Sequence, residues 1–227
     1  MLAEAQIYGT GKQGEFERPP NQSYSARPYF NAMVRDAMKN KPTRFDFMKF
    51  RILYSQTPQY DPIGEETLAE LNEFAYIVVN DADPERVKSA LLAYRTVVSN
   101  HLAHIDVVLQ ALSLARQDKR FGKPEFFEWV REGLIRTVVI SGSGISLAKA
   151  YDIITLQEET ILFQRLGVKP ERGEPVKEGV TYYNMHDVVN LKNGRKYTIF
   201  VNTSVPMRFL EKKAEYEKNF TANIRKQ

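Results

Sequence analysis

The chain contains no cysteine. That absence excludes disulfide frameworks, cysteine-ligated zinc, iron–sulfur clusters and thiol nucleophiles together. It leaves the compartment open, because exported bacterial proteins often lack disulfides too. No apolar run approaches the length of about 20 residues that crosses a bilayer, so no transmembrane segment is expected. Basic residues form no concentrated stripe. The formal net charge is +4, and lysine and arginine alternate with acids, as in Asp118-Lys119-Arg120 and Glu211-Lys212-Lys213. A nucleic-acid binder gathers its cations on one face, so nucleic acid is not an expected partner. The first residues, Met1-Leu2-Ala3-Glu4-Ala5-Gln6, hold no basic segment followed by an apolar core. They read as what remains where a starting Met replaces a signal peptide. The expected location is periplasmic or secreted, with the cytoplasm as the alternative.

What the sequence does hold is enough apolar and aromatic material for a substantial core. Of 227 residues 43% are hydrophobic and 26% charged, with 12 Tyr and 13 Phe, a composition of folded globular domains. Residues 1–27 are rich in Gly, Pro, Ser, Asn and Gln and are expected to be an extended or disordered arm. Within them Gly9-Thr10-Gly11-Lys12 resembles half a phosphate loop. The other half fails: Gln6 and Gln13 stand where Gly and Ser or Thr are needed, and no strand precedes.

Residues 28–144 carry helical periodicity. Phe30, Met33, Val34, Ala37 and Met38 share a face, and Thr43 with Asp46 predicts a capped start for a helix from Phe45 to Tyr54. Leu68, Leu71, Ala75 and Val78 mark a third helix. Asp83-Pro84 opens a fourth, with Val87, Leu91, Tyr94 and Val98 inward. Leu102, Ile105, Leu109 and Leu112 mark a fifth, and Phe127, Val130, Leu134 and Val138 a sixth. Short links between amphipathic helices predict stacked antiparallel hairpins, tetratricopeptide-like but without a clean repeat of about 34 residues.

The period changes after Gly144. Ala150 to Leu156 alternate as a strand does, Glu158 to Leu166 return to a short helix, and two further strands flank the Asn193-Gly194 turn. Pro206 is expected to open a charged C-terminal helix. The fold class is therefore α+β: helical hairpins, then a small antiparallel sheet and a helix over residues 145–227, packed as one domain with the hairpins.

Two stretches carry a resemblance. Phe50-Arg51-Ile52-Leu53-Tyr54 followed by Tyr60-Asp61-Pro62-Ile63-Gly64, together with Ile140-Ser141-Gly142-Ser143-Gly144, the segment Ala150 to Glu159 and Tyr182-Tyr183, resemble an uncharacterised bacterial family catalogued as domain of unknown function 4919. Ile63 replaces an aromatic of the family's pattern and Ser143 an acid. The resemblance spans roughly residues 28–205. It implies a helical-hairpin region with a C-terminal β region, often on exported proteins, and no established activity.

Candidate chemistry centres on a few residues. The turn Ser141-Gly142-Ser143-Gly144 lacks the third glycine of a dinucleotide fingerprint, Leu147 standing there, and lacks the Gly-x-Ser-x-Gly of a nucleophile elbow. It reads as a helix-to-strand link in which Gly142 or Gly144 takes positive φ. The alternative is a binding turn whose amides and hydroxyls hold an anion or a glycan. His101 and His104 share the spacing of a metal pair on a helix, with no third ligand evident, so no metal or other cofactor is expected. Asp152, Glu158 and Glu159 are candidate acid–base groups. On the strand around residue 184, alternation places Tyr182, Asn184 and His186 on one face, expected to be outward and to carry the binding surface. The leading expectation is a non-enzymatic binding or scaffold protein for another protein or peptide. The alternatives are a cell-envelope hydrolase using carboxylates and His186 near the Ser141–Gly144 turn, and an effector-neutralising partner.

Overall fold

Helix starts follow directly from local chemistry. The computed structural model describes residues 25–40 and 42–224. The arm expected over residues 1–27, with its half phosphate loop, lies outside them up to residue 24, while residues 26 and 27 already belong to the first helix. Helix α1 (Ala26–Asn40) buries Phe30, Val34 and Ala37. Helix α2 (Phe47–Ser55) starts two residues later than expected, because Asp46 is the cap: its carboxylate accepts the Lys49 amide at 2.9 Å, the third amide of the helix. Helix α3 (Glu65–Asn80) follows Gly64, and α4 (Pro84–Asn100) is capped by Asp83 with Pro84 at its first position, as its sequence predicts. Helix α5 (Ile105–Gln117) begins at Ile105 rather than Leu102, since the His104 ring caps it. Helix α6 (Pro124–Ile140) buries Phe127, Val130, Leu134 and Val138.

Short links make neighbours antiparallel. Helices α1 and α2, α3 and α4, and α5 and α6 pack as pairs, and the pairs stack through α3 on α5 and α2 on α6. One apolar cluster runs through them all. Its aromatic centre pairs Phe30 with Phe50, stacked at 4.9 Å, and sets Phe45 and Phe47 edge-on to Trp129 at 5.4 and 5.0 Å. Such pairs add about 0.5–1.5 kcal/mol each beyond the area they bury. Helix α6 can approach that centre because Gly133 has no side chain: a Cβ there would stand 2.2 Å from the Phe47 ring.

The β region begins with β1 (Tyr151–Asp152), shorter than the alternation from Ala150 to Leu156 suggests. Helix α7 (Gln157–Leu166), β2 (Val168–Glu178), β3 (Thr181–Asn190), β4 (Lys196–Asn202) and α8 (Ser204–Ile224) follow. The strand order is β1-β4-β3-β2. Strands β2, β3 and β4 form an antiparallel meander and β1 joins β4 in parallel. The α+β order of hairpins, sheet and C-terminal helix is thus the observed one, with a mixed sheet. Strand β2 has no counterpart in the sequence reading. It contains Pro170, Gly173 and Pro175, which a central strand does not tolerate, and it stands at the edge, where missing amides cost nothing. Helix α8 starts two residues before Pro206. A proline there is harmless, since the first-turn amides have no helical partner.

Register decides which side of the sheet meets the helices. His186 lies opposite Ile199, Asn184 opposite Val201 and Val188 opposite Tyr197, and directly opposed residues share a face. Ile199, Val201, Val188 and Tyr151 pack with Val138, Leu162 and Phe163 into a second apolar cluster. The face of Tyr182, Asn184 and His186 is therefore turned toward the helices. The expectation that it looks outward is corrected here: alternation groups residues on a face correctly, but cannot say which face the helices cover.

Candidate functional site

The densest polar arrangement lies where the helical hairpins meet the β region. Arg51, on the inner face of α2, is 1% exposed, and Glu158, in the first turn of α7, 2%. The Arg51 guanidinium donates Nε to Glu158 Oε1 at 3.1 Å and Nη2 to Oε2 at 2.7 Å, and Nη2 also reaches the Asp152 carbonyl at 3.1 Å. Glu158 Oε2 accepts the Ile154 amide at 2.7 Å. Two buried charges are tolerable only with this kind of bidentate, fully bonded geometry. Beside them Tyr60 donates its hydroxyl to the Ile154 carbonyl, and the Leu156 amide donates to the Pro62 carbonyl at 3.0 Å. The two stretches that carry the family resemblance thus meet in space.

The same network continues into the α4–α5 turn. Tyr54 Oη lies 2.9 Å from His101 Nδ1 and accepts the Asp61 amide at 3.3 Å. Burial pushes the Tyr54 phenol far above its usual range and pulls His101 down to about 4. At neutral pH the phenol donates and the neutral ring accepts. His104 is fully buried and its Nδ1 accepts the Asp106 amide at 3.3 Å, so its proton sits on Nε2, packed on the Cα of Gly64: a Cβ there would stand 2.7 Å from that atom. Burial lowers the His104 pKa, with Asp61 opposing. Burial also resists ionisation of Asp61, but donors from Gly64, Thr67 and Ile63 outweigh it and hold its carboxyl below the usual range. Burial raises Asp106 to about 6, with Glu158 adding. The expectation that His101 and His104 share a helix face is corrected. They cap the end of α4 and the start of α5, each with its own partner, and among the described residues no cluster of His, Asp and Glu has the arrangement of a metal site.

The Ser141–Gly144 turn is built as a link. Ser141 ends α6 in helical conformation, donates Oγ to the Val138 carbonyl at 2.7 Å and accepts the Asp152 amide at 2.8 Å. The amides of Ser143 and Gly144 both donate to the Lys149 carbonyl, at 3.0 and 2.7 Å, so neither points at solvent as an anion cradle requires. Gly142 is demanded by close approach: a Cβ would stand 2.2 Å from the Ala150 carbonyl oxygen. Gly144 is the one with positive φ, +69°. Its carbonyl accepts the Phe200 amide at 2.9 Å, tying the turn to β4. Asp152 accepts from Asn202 Nδ2 at 2.9 Å, and burial raises its pKa.

The inner sheet face holds a third group. His186 Nε2 lies 2.8 Å from Glu159 Oε1, and the side chains are 13% and 17% exposed. Asn184 donates Nδ2 to the same carboxylate at 3.1 and 3.2 Å. The His186 ring meets Phe163 edge-on at 4.8 Å. Tyr182 donates its hydroxyl to Glu211 at 2.6 Å, fastening α8 to β3, and accepts from Lys177 at 2.5 Å. Sequence reasoning selects Tyr182, Asn184 and His186 and, separately, Glu159 as a candidate acid; it does not pair Glu159 with His186 and Asn184, and it misses Glu211. Glu159 and Glu211 sit 27 and 29 residues from their partners, and nothing local announces such pairs. Arg51 has no role that the sequence alone assigns. Its place beside Leu53 and Tyr54 on a buried helix face is the one available signal, since an arginine there needs an acid.

Asp152, Glu158 and His186, the groups a hydrolase would converge, take separate partners. The interior gap beside Glu158, lined by Ile105, Leu134, Val138, Ile161 and Leu162, has no room for even a water-sized guest. Compared with known proteins, the chain matches no family model, no curated protein and no solved structure.

Proposed function

We propose that this chain is a non-enzymatic binding or scaffold protein, bacterial and exported, whose partner is another protein or peptide. One contrast carries the reading. The polar groups with chemical potential are engaged within the protein: Glu158 by Arg51, Glu159 by His186 and Asn184, Asp152 by Asn202. Large apolar side chains meanwhile face solvent, and two of them, Ile140 at 64% and Ile145 at 68% exposed, flank the single turn at Ser141–Gly144. Scattered exposed apolar residues are ordinary. A pair concentrated at one turn is the pattern of an interface anchor. Kinship with the uncharacterised bacterial family belongs to the same proposal, and the meeting of its two motif stretches at Arg51 and Glu158 supports it.

The test is affinity capture with the intact chain from host extract, followed by reconstitution of the recovered protein and calorimetry on the purified pair. A saturable complex with Kd below about 10 μM, an affinity of roughly −7 kcal/mol, is the expected result. Hydrolysis of cell-envelope material by the purified chain, lost in Glu159→Gln and His186→Asn, would overturn the reading.

A further inference from the structure

We propose that the open edge of β4, at Lys196 and Thr198, is a docking site for an extended acidic segment of a partner protein, added to the sheet as a fifth strand. The proposal rests on the reading above that the partner is a protein or peptide. Its starting point is the hydrogen-bond parity of β4. The Thr203 amide donates to the Tyr182 carbonyl and the Asn190 amide to the Arg195 carbonyl, so odd-numbered residues of this strand pair with β3. Amides and carbonyls of Lys196, Thr198, Phe200 and Asn202 point the other way. Phe200 gives its amide to Gly144, and the Asn202 carbonyl accepts from Ile153. Strand β1 pairs only Val201 and Asn202. Among the described residues, nothing bonds the outward backbone groups of Lys196 and Thr198.

Exposed edges of this kind recruit other strands unless they are guarded. The opposite edge is guarded: β2 carries Pro170, Pro175 and a register break between Pro170 and Arg172. The β4 edge has no proline or bulge, and its lysine, Lys196, is held by Glu171 at 2.8 Å. Apolar side chains border it. Tyr197 is 39% exposed and Ile145, next in the chain to Gly144, is 68% exposed. Cations mark both ends. Lys149 lies on the turn that touches β4, and Lys192 and Arg195 lie in the β3–β4 turn; among the described residues none of the three has an acidic partner. An incoming strand would take bonds from Lys196 and Thr198, place an apolar residue beside Tyr197 and Ile145, and bring acids to Lys149 and Arg195. A second copy of the same edge is a poor occupant, because it would set like charges against each other.

The test uses the full chain and an acetylated, amidated, fluorescein-labelled peptide, Asp-Val-Glu-Ile-Asp-Val-Glu. Expected are a saturable anisotropy change, slowing of amide exchange at Lys196 and Thr198 by about tenfold, and affinity about fivefold weaker when alternate peptide amides are N-methylated. Arg195→Glu should weaken binding about threefold at low salt. Thr198→Pro, which removes an outward amide and no bond to β3, should abolish it; exchange at Thr198 in the unaltered chain gives the same answer should that variant fail to fold. The proposal is overturned by absence of binding, by binding that leaves exchange at Lys196 and Thr198 unchanged, or by a dimer that protects those amides without peptide. A native partner that binds the wild type, Thr198→Pro and Arg195→Glu equally well overturns the edge site and leaves the protein-binding reading standing. Recovery of no partner at all ends that reading first.

Discussion

Arg51 and Glu158 stand 107 residues apart in the chain and 2.7 Å apart in space, each 2% exposed or less. Removing one partner strands the other charge in an apolar interior. Arg51→Met and Glu158→Gln should each destabilise the protein by about 3–5 kcal/mol, whereas the double change Arg51→Met with Glu158→Leu should recover much of that loss. Urea denaturation of the three variants checks it. Additive losses in the double variant would show that the pair acts through its separate bonds to Asp152 and Ile154 instead.

The two glycines of the linking turn should respond for different reasons. Gly142→Ala drives a Cβ into the Ala150 carbonyl and should cost about 1–3 kcal/mol. Gly144→Val meets both positive φ and the Tyr151 ring and should cost at least as much. Ser143→Ala changes an exposed hydroxyl and should stay within about 0.5 kcal/mol of wild type. Melting curves separate the three.

As an outward-facing residue, His186 could be removed almost silently. With Glu159 and Phe163 packed against it, His186→Ala leaves a mostly covered carboxylate short of one partner and should cost about 1–3 kcal/mol. A double-mutant cycle with Glu159→Gln measures the coupling. A coupling near zero would return His186 to the surface class.

Acidification should loosen the α4–α5 turn. His101, held at about 4, and His104, held low, refuse protons that the unfolded chain accepts below its histidine pKa of about 6.5. Their stabilisation is present above that value and is lost as pH falls through the window toward 4. Asp106, raised to about 6, works oppositely, because there the native state holds the proton more tightly. His101 alone contributes a slope of up to about one proton, or about 1.4 kcal/mol per pH unit, inside that window. His101→Asn should flatten the stability profile between pH 4 and 6.5, and Asp106→Asn should steepen it.

Helices were legible because their signals are local. The Asp83-Pro84 start and the stripe Phe127, Val130, Leu134, Val138 need only a few neighbouring residues to be read. Strand β2 was illegible for the converse reason: an edge strand with two prolines and a glycine at Gly173 looks like a loop until β3 is placed beside it. The candidate site divides in the same way. Asn184 and His186 follow from alternation, but the side they face depends on where α7 lands, and Glu159, a candidate acid by its type alone, has no visible partner in the sequence until that happens. The small residues of Ser141–Gly144 are visible in the sequence, but the close approach to Ala150 that requires one of them, Gly142, is not.

The parallel seam between β1 and β4 governs the order of assembly. Asn202 and Asp152 touch across 50 residues of chain, and everything between them is α7 and a meander whose strands neighbour one another in sequence. Closing that long loop must be late, since its entropy is spent before many contacts reward it. The meander is expected to form first and to be delivered as a unit onto a helical layer already in place. In refolding, protection of Ile199 and Val188 amides should therefore precede that of Ile153, and the slow phase should belong to docking.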